Sequence, residues 1–306
     1  MVDSSLASSL IVVTGANGLV GSRVCQKLVE AGASVRAVVR RGGTAPQLPG
    51  VEEVVGDFGD PAFAQAVVQG ATGIVTTVHP MGSKRETQHR VAVQGTPVLA
   101  RAARDAGVPR LVHISTASVY ARSPETGAVD ESSALVDDEA DDYSLTKRDT
   151  DLALAGIDDI TTVLVRPPVI LGSGPRSMWN SLRPASIRDN EAARSVIPHQ
   201  NFAWVHVDDL SALVADLATG RIVTAEDTAD GPLAGRYTAL NVVCPDVATV
   251  RDYHQVVCDA VGVEPVWRDE PAWTGPYVAD RARSWGWSPA VNLADALAEL
   301  RADLSG

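Results

Sequence analysis

The stretch that most constrains this chain lies near its start. Leu10–Thr14 (LIVVT) is a short β-branched apolar run, followed at once by Thr14-Gly15-Ala16-Asn17-Gly18-Leu19-Val20-Gly21. An unbroken apolar run suits a strand covered on both faces, as in a parallel sheet. Glycines between that strand and a helix allow a tight turn and let backbone N–H groups approach a pyrophosphate at the helix's positive end. The spacing is G-x-x-G-x-x-G rather than G-x-G-x-x-G. Its place, opening the chain between strand and helix, is the place a dinucleotide site requires. Gly15, Asn17, Gly18, Leu19, Val20 and Gly21 are therefore candidate cofactor contacts.

The alternation continues. A helical pattern over Leu19–Ala31 ends at Gly32, and Ser34–Arg40 reads as a second strand. Val51–Val55 is a third, Ala62–Gln69 a helix and Gly73–Val78 a fourth strand. A long helix is expected over Arg85–Ala106, a fifth strand over Arg110–Ser115, a helix from Tyr143 toward Ala155, and a sixth strand over Thr161–Arg166, stopped by Pro167-Pro168. Such a rhythm implies an α/β fold: a Rossmann-type, doubly wound parallel sheet with helices on both faces. After Gly172 the rhythm breaks. Residues 1–171 read as the dinucleotide-binding domain and 172–306 mainly as a smaller substrate lobe. Its strands near 202–207 and 237–244 are expected to return toward the main sheet, and helices are expected over Asp208–Leu217, Val250–Val261 and Leu293–Leu304.

Composition narrows the partners. A formal charge of −12 argues against a nucleic-acid partner and against an anionic membrane surface. No run reaches the roughly 18 apolar residues of a spanning helix. Met1–Ser9 lacks the basic and apolar regions of a signal peptide and reads as a short lead into the first strand. The three cysteines, Cys25, Cys244 and Cys258, are widely spaced and show no Cys-x-x-Cys, as expected of free thiols in the cytoplasm. No metal site is indicated. The expected partner is a small-molecule substrate, and a homodimer is compatible with the reading.

The end of the second strand bears on the choice of nicotinamide cofactor. An acid there would take the ribose 2′-hydroxyl, whereas arginine accommodates a 2′-phosphate. The chain has Arg40-Arg41 and no acid, which favours NADP(H) over NAD(H); the alternative is that both arginines are simply solvated. Asp57, next to Phe58 after the third strand, offers a carboxylate to the adenine amino group or is a turn residue. Tyr143 and Lys147 stand at i and i+4, on one helix face. An adjacent ammonium favours the phenolate, making the tyrosine a usable acid/base near neutrality. Ser115, Thr116 and Ser118 leave the C-terminal edge of the fifth strand, where such sheets bind ligands.

In the ordered set TGANGLVG, GDFGD, GTPVLARAARDAGVPRLVHISTASVY, YSLTK, LVRPPVILG, WVHVDDL and WGWSP, the chain resembles the extended short-chain dehydrogenases, the epimerase/dehydratase-like group. The resemblance spans nearly the whole sequence. It implies that Tyr143 is the general acid/base, that Lys147 lowers its pKa and binds the nicotinamide ribose, and that Thr116 holds the substrate carbonyl, with Ser115 and Ser118 as neighbours. It further implies that Pro167, Pro168 and Val169 flank the nicotinamide and that the loop from Val78 lines the cofactor. Two departures stand out: Val78-His79-Pro80 replaces the family's small residues after the fourth strand, and Ala92 replaces an asparagine in the long helix. His79 is a candidate substrate contact or a loop-packing residue, and His206 reads as structural.

Met178, Trp179, Trp204 and Trp273 are candidates for the substrate side, since aromatic pockets suit flat or apolar ligands. Trp285 and Trp287 read as structural. Arg176, Arg183, Arg188 and Arg194 either bind a nucleotide-sugar diphosphate or are solvated. The acidic run Asp137–Asp142 reads as a solvated loop; at the pocket rim it would disfavour a dianion. Three functions follow: an NADPH-dependent ketoreductase of apolar or aromatic carbonyls, a nucleotide-sugar epimerase or dehydratase, and a non-catalytic NADP(H)-binding redox sensor.

Overall fold

The computed structural model describes residues 9–305; the lead up to Ser8 lies outside them. Strands β1 (Leu10–Thr14), β2 (Ser34–Val39), β3 (Val51–Val55), β4 (Gly73–Thr76), β5 (Arg110–Ile114) and β6 (Thr161–Arg166) share one parallel sheet. Three short strands follow, β7 (Val169–Leu171), β8 (Ser195–Val196) and β9 (Trp204–His206), then β10 (Tyr237–Asn241) and β11 (Val266–Trp267). The main sheet has the order β10-β6-β5-β4-β1-β2-β3. The chain thus switches direction between β1 and β4, and ligands of such sheets bind at the carboxyl ends of strands beside that switch.

Alternation along β1 explains its unbroken hydrophobicity. Ile11 and Val13 pack in one core with Val24, Cys25 and Leu28 of α1 (Leu19–Glu30). Val12 faces the other core, with Ala64 and Val67 of α2 (Pro61–Val67). The predicted long helix is α3 (Arg85–Gln88), a π-helical stretch over His89–Gly95, and α4 (Thr96–Asp105). Ala92, where the resemblance leads one to expect asparagine, is buried in that π stretch. The helix carrying Tyr143 and Lys147 is α5 (Asp142–Ala155).

A third core holds the remainder together. It joins Leu171, Phe202 and Trp204 to Ile187 of α6 (Arg183–Asp189), Tyr253 and Val257 of α8 (Val250–Val261) and Leu300 of α10 (Leu293–Ser305). Between these lie α7 (Val207–Thr219), which packs on the nucleotide side, and the short α9 (Asp280–Ser284). One expectation is corrected. The strand near 202–207 does not return to the main sheet; β9 pairs in parallel with β7, from Val169↔Trp204 to Leu171↔His206. After Pro167-Pro168 the chain leaves the main sheet, so β7 offers its edge to β9, and the place beside β6 is taken by β10. His206 acts at this joint: its Nδ1 accepts from Asp208 N at the start of α7, and its Nε2 lies 2.8 Å from Glu299 of α10.

Candidate active site

A cleft of about 1400 Å³ runs along the carboxyl ends of the sheet. One end is built mainly of backbone. Gly15 sits at φ +70°, and a Cβ there would lie 2.5 Å from Thr77 Oγ1. A Cβ on Gly21 would lie 2.2 Å from Gly15 O, so only glycine lets α1 approach the turn. Gly18 caps α1 without a side-chain acceptor. A space kept clear of Cβ atoms at an uncapped helix N-terminus fits a dinucleotide pyrophosphate. Asn17, Leu19 and Val20 line the same wall. Thr77 donates to Thr14 O, and Asn17 donates to Thr44 Oγ1, which in turn donates to Arg41 O.

Arg40 and Arg41 line the cleft in the exposed loop after β2, and neither guanidinium has a carboxylate partner among the described residues. The acid that faces that loop, from β3, is already engaged. Glu53 accepts from the N–H groups of Gly43, Thr44 and Ala45, which hold its carboxyl below its ordinary pKa. Asp57 lines the cleft with Phe58 and accepts from Gly59 N through Oδ1. Arg176 reaches from the far wall to donate to Asn17 O, and Val78, Pro168 and Val169 line the cleft between the ends.

At the other end, α5 presents Tyr143 to the cleft beside Thr116, Ser118 and His79. Asp141, the last acid but one of the run, caps this helix by accepting from Tyr143 N and Ser144 N, which fixes where Tyr143 begins its turn. The other acids of the run point elsewhere: Asp138 pairs with Arg148, and Asp142 with Arg85. None lines the cleft, so the run gives no reason to exclude an anion.

Tyr143 departs from expectation. Burial raises its pKa, opposed by the side chain of Thr116, and the ammonium of Lys147 does not offset this. Lys147, only 4% exposed, turns away from the cleft and donates to Ile114 O at 2.7 Å. Burial pulls its pKa down to about 8 while Asp151, one turn further along α5, pulls upward. Asp151 is itself buried against Arg166 at 2.9 Å. Arg166 donates to Tyr120 Oη, and Tyr120 donates to Asn241 Oδ1. The buried polar groups behind Tyr143 therefore form a chain of contacts from α5 to β10.

His79 lies edge-on to Tyr143, with ring centroids 4.9 Å apart. Its Nε2 donates to Gln88 Oε1 at 2.9 Å, leaving Nδ1 as the acceptor nitrogen. Burial, with Lys147 nearby, pulls its pKa down to about 4. Thr146 Oγ1 lies 3.2 Å from the same Gln88 oxygen, so Gln88 ties the loop after β4 to α5. No motif marked Gln88; its signal is a polar residue at a buried position of the long helix.

Met178 and Trp179 line the cleft, as do Phe202 and Trp273. Trp204 does not: it is fully buried in the third core, donating to Asp246 O, because β7–β9 pairing turns it inward. Ser115, Lys147 and Pro167 also lie off the cleft wall, Ser115 beside the buried Asp151 carboxylate. Trp285 and Trp287 donate to Thr228 O and Asp209 O in the main core. Of the four candidate diphosphate arginines, only Arg176 lines the cleft, at its nucleotide end. Arg188 pairs with Asp189, Arg194 donates to Ile187 O and Arg188 O, and Arg183 covers Trp179. Thr77, Gln94, Arg122, Gln200 and Asn201 also line the cleft and carried no motif to reveal them.

Among the described residues no helix is long and apolar enough to cross a membrane. The chain is similar to the 3 beta-hydroxysteroid dehydrogenase/Delta 5→4-isomerase of Mycobacterium tuberculosis, 32% identical over 60% of this chain and 53% of that protein. It is likewise similar to the 2-alkyl-3-oxoalkanoate reductase of Stenotrophomonas maltophilia, 32% identical over 55% of this chain and 53% of the reductase. The matched segment thus spans about half the length of these curated relatives. In fold it is similar to UDP-glucose 4-epimerase with UDP-glucose from Thermotoga maritima, at 16% identity and a TM-score of 0.75 over 96% of this chain and 98% of that one. It is also similar in fold to the Bordetella bronchiseptica enzyme WbmG in complex with NAD, at 20% identity and a TM-score of 0.70 over 96% and 93%. The model of the NAD dependent epimerase/dehydratase family matches residues 11–221. The chain belongs to that family, the extended short-chain dehydrogenases its motifs resemble.

Proposed function

We propose that this chain is an NADPH-dependent ketoreductase acting on a carbonyl of a largely apolar small molecule, with Tyr143 as proton donor. The observation that carries the reading is the convergence of Thr116 and Tyr143 on one cleft whose far wall is Met178, Trp179, Phe202 and Trp273. Relatives named for reduction of an oxoalkanoate and oxidation of a hydroxysteroid support it. When bound, the reduced nicotinamide would supply the hydride. Tyr143, kept protonated by burial, gives its proton to the carbonyl oxygen as charge develops there, while Thr116 donates a hydrogen bond to the same oxygen. Lys147 holds positive charge close behind Tyr143, on Ile114 O; from there it faces away from the cleft, so the ribose contact that the family resemblance implied is not part of this reading. Gly15, Gly18 and Gly21 would hold the pyrophosphate, Arg40 and Arg41 the 2′-phosphate, and Asp57 the adenine. In this division of labour residues 1–171 serve the nucleotide, and 172–306 supply most of the substrate wall.

The nucleotide-sugar reading loses its anchor, because three of the four arginines that would have gripped a diphosphate lie off the cleft wall. The test is a panel of ketones and sugar nucleotides with NADPH, followed by absorbance. Reduction of apolar ketones with stoichiometric loss of NADPH is expected. Turnover of a sugar nucleotide without net loss would replace this reading with epimerisation, and tight NADPH binding with no turnover at all would replace it with a sensor.

A further inference from the structure

The substrate end of the cleft contains one feature that an apolar ketone alone does not explain. Arg122 lines the cleft with its guanidinium 5.4 Å from the centroid of the Trp273 ring. The residue is exposed and has no hydrogen-bond or ion-pair partner among the described residues. Its base is pinned, since the preceding Ala121 N donates to Ala134 O and Tyr120 bridges to Leu135. Trp273 is pinned as well, donating to Gly127 O. Lying over a fixed ring restrains a guanidinium and leaves its N–H edge free for an acceptor in the guanidinium's own plane.

No carboxylate among the described residues lies within ion-pair distance of it, and Glu125, three residues along, does not reach it. Asp130 accepts from Ser132 and Ser133, and Glu131 accepts from Asn241 N. The other arginines of the cleft belong to its nucleotide end. Arg40 and Arg41 follow β2 and Arg176 bonds to Asn17. Arg90 stands in the π stretch whose Gly95 packs on Gly59 and Phe58. One guanidinium with no partner among the described residues therefore lines the same cleft as the hydroxyls of Thr116 and Ser118 and the apolar walls of Trp179 and Phe202.

We propose that Arg122, stacked on Trp273, is the subsite for a carboxylate, so that the preferred substrate is an apolar oxo-acid rather than a neutral ketone. The inference rests on the ketoreductase reading for the reaction, but the subsite itself does not. A guanidinium fork matches a carboxylate bidentately, and one such site suits a monoanion better than a diphosphate. A 2-alkyl-3-oxoalkanoate, named for one relative, is by its name an acid bearing a ketone.

The experiment compares 3-oxodecanoate with its methyl ester in the wild type and in Arg122→Gln, with NADPH consumption followed. Charge-assisted hydrogen bonds of this kind correspond to roughly 10–100-fold. The wild type should favour the acid by about that factor in kcat/KM, mostly through KM, and Arg122→Gln should erase the preference. Arg122→Lys should restore part of it, as a point charge without the fork. Equal loss on acid and ester, or a wild type that prefers the ester, overturns the subsite. Decanoate, which has no ketone to reduce, is titrated calorimetrically into the NADPH complex of both proteins. If neither oxo compound is reduced but decanoate binds roughly 10–100-fold more weakly to Arg122→Gln, the ketoreductase reading fails and the subsite stands. If decanoate binds both proteins alike, the subsite fails whatever the activity.

Discussion

The two ends of the cleft are made differently. The end proposed for the nucleotide is backbone and exposed charge: three glycines, a bare helix start, and Arg40 and Arg41 without ion-pair partners among the described residues. The corner around Tyr143, proposed as the catalytic one, is buried side chains, with Lys147 on Ile114 O, Asp151 on Arg166, and His79 on Gln88. A site of the first kind recognises a ligand through shape and potential. One of the second kind holds a proton and a charge in fixed places, at the expense of desolvation that only a complete network offsets. Mutations at the two ends should therefore fail in different ways.

The largest expected effect is at the corner. Tyr143→Phe should lower kcat by roughly 10²–10⁴ with NADPH affinity nearly unchanged, since the ring keeps its packing. A rate within a few-fold of wild type in the folded variant would remove Tyr143 from the chemistry. Next comes Asp151→Asn, which leaves Arg166 buried without its counter-charge. Breaking such a pair costs on the order of 3–5 kcal/mol, read as a lower urea midpoint. An unchanged midpoint would mean that Tyr120 and the protein around it hold Arg166 unaided.

At the nucleotide end the losses should be smaller and confined to cofactor binding. Gly21→Ala pushes a Cβ into Gly15 O, a displacement worth about 1–3 kcal/mol. NADPH should bind correspondingly more weakly by calorimetry, while kcat at saturation changes little. Arg40→Asp should weaken NADPH by roughly tenfold or more and NADH far less. Equal losses for both cofactors would show that Arg40 does not read the 2′-phosphate.

The smallest effect is a pH slope. His79 is held neutral down to about pH 4 in the folded protein, whereas an unfolded histidine gains its proton near 6.5. Below that value the unfolded chain binds the extra proton, so stability present above pH 6.5 is lost as pH falls toward 4. His79→Gln should reduce the slope of the urea midpoint across that window, with the remainder supplied by His113 and His254, which burial also holds below their ordinary range. A slope equal to that of the wild type would place the proton uptake on another group.

The contrast between the ends also explains what could be read in advance. Strands β1 and β6 fell on their expected bounds because a strand covered on both faces is buried along its length; β3, a part-exposed edge strand reading VEEVV, was bounded instead by the Gly56-Asp57 that closes it. The glycine turn was legible because the close approach of α1 requires glycine at Gly15 and Gly21, and the i, i+4 spacing placed Tyr143 and Lys147 on one helix, of which only Tyr143 lines the cleft. β7 was not, since Pro167-Pro168 reads as the end of a strand and nothing local says that the chain resumes beside Trp204. A tryptophan on a short strand looks the same whether it faces a core or a cleft, so Trp204 was misplaced. The pKa direction of Tyr143 depends on where Lys147 turns, and that is decided by a carbonyl on a different strand. Arg122 belongs to no motif, and only folding brings Trp273 beneath it.

The hydrogen bond from Tyr120 to Asn241 has a bearing on how the enzyme is made. Asn241 ends β10, the last strand to join the sheet in chain order, and it completes the chain of contacts through Arg166 and Asp151 to the helix of Tyr143. On the ribosome, Tyr143 and Lys147 emerge well before it. At about 5–20 residues per second, the catalytic helix waits roughly 5–20 s for the strand that secures its buried charges. During that interval Arg166 and Asp151 have each other but not their distal support, and β6 is an open edge. The nascent chain would thus be most exposed to mispairing after Tyr143 and Lys147 exist and before their helix is secured.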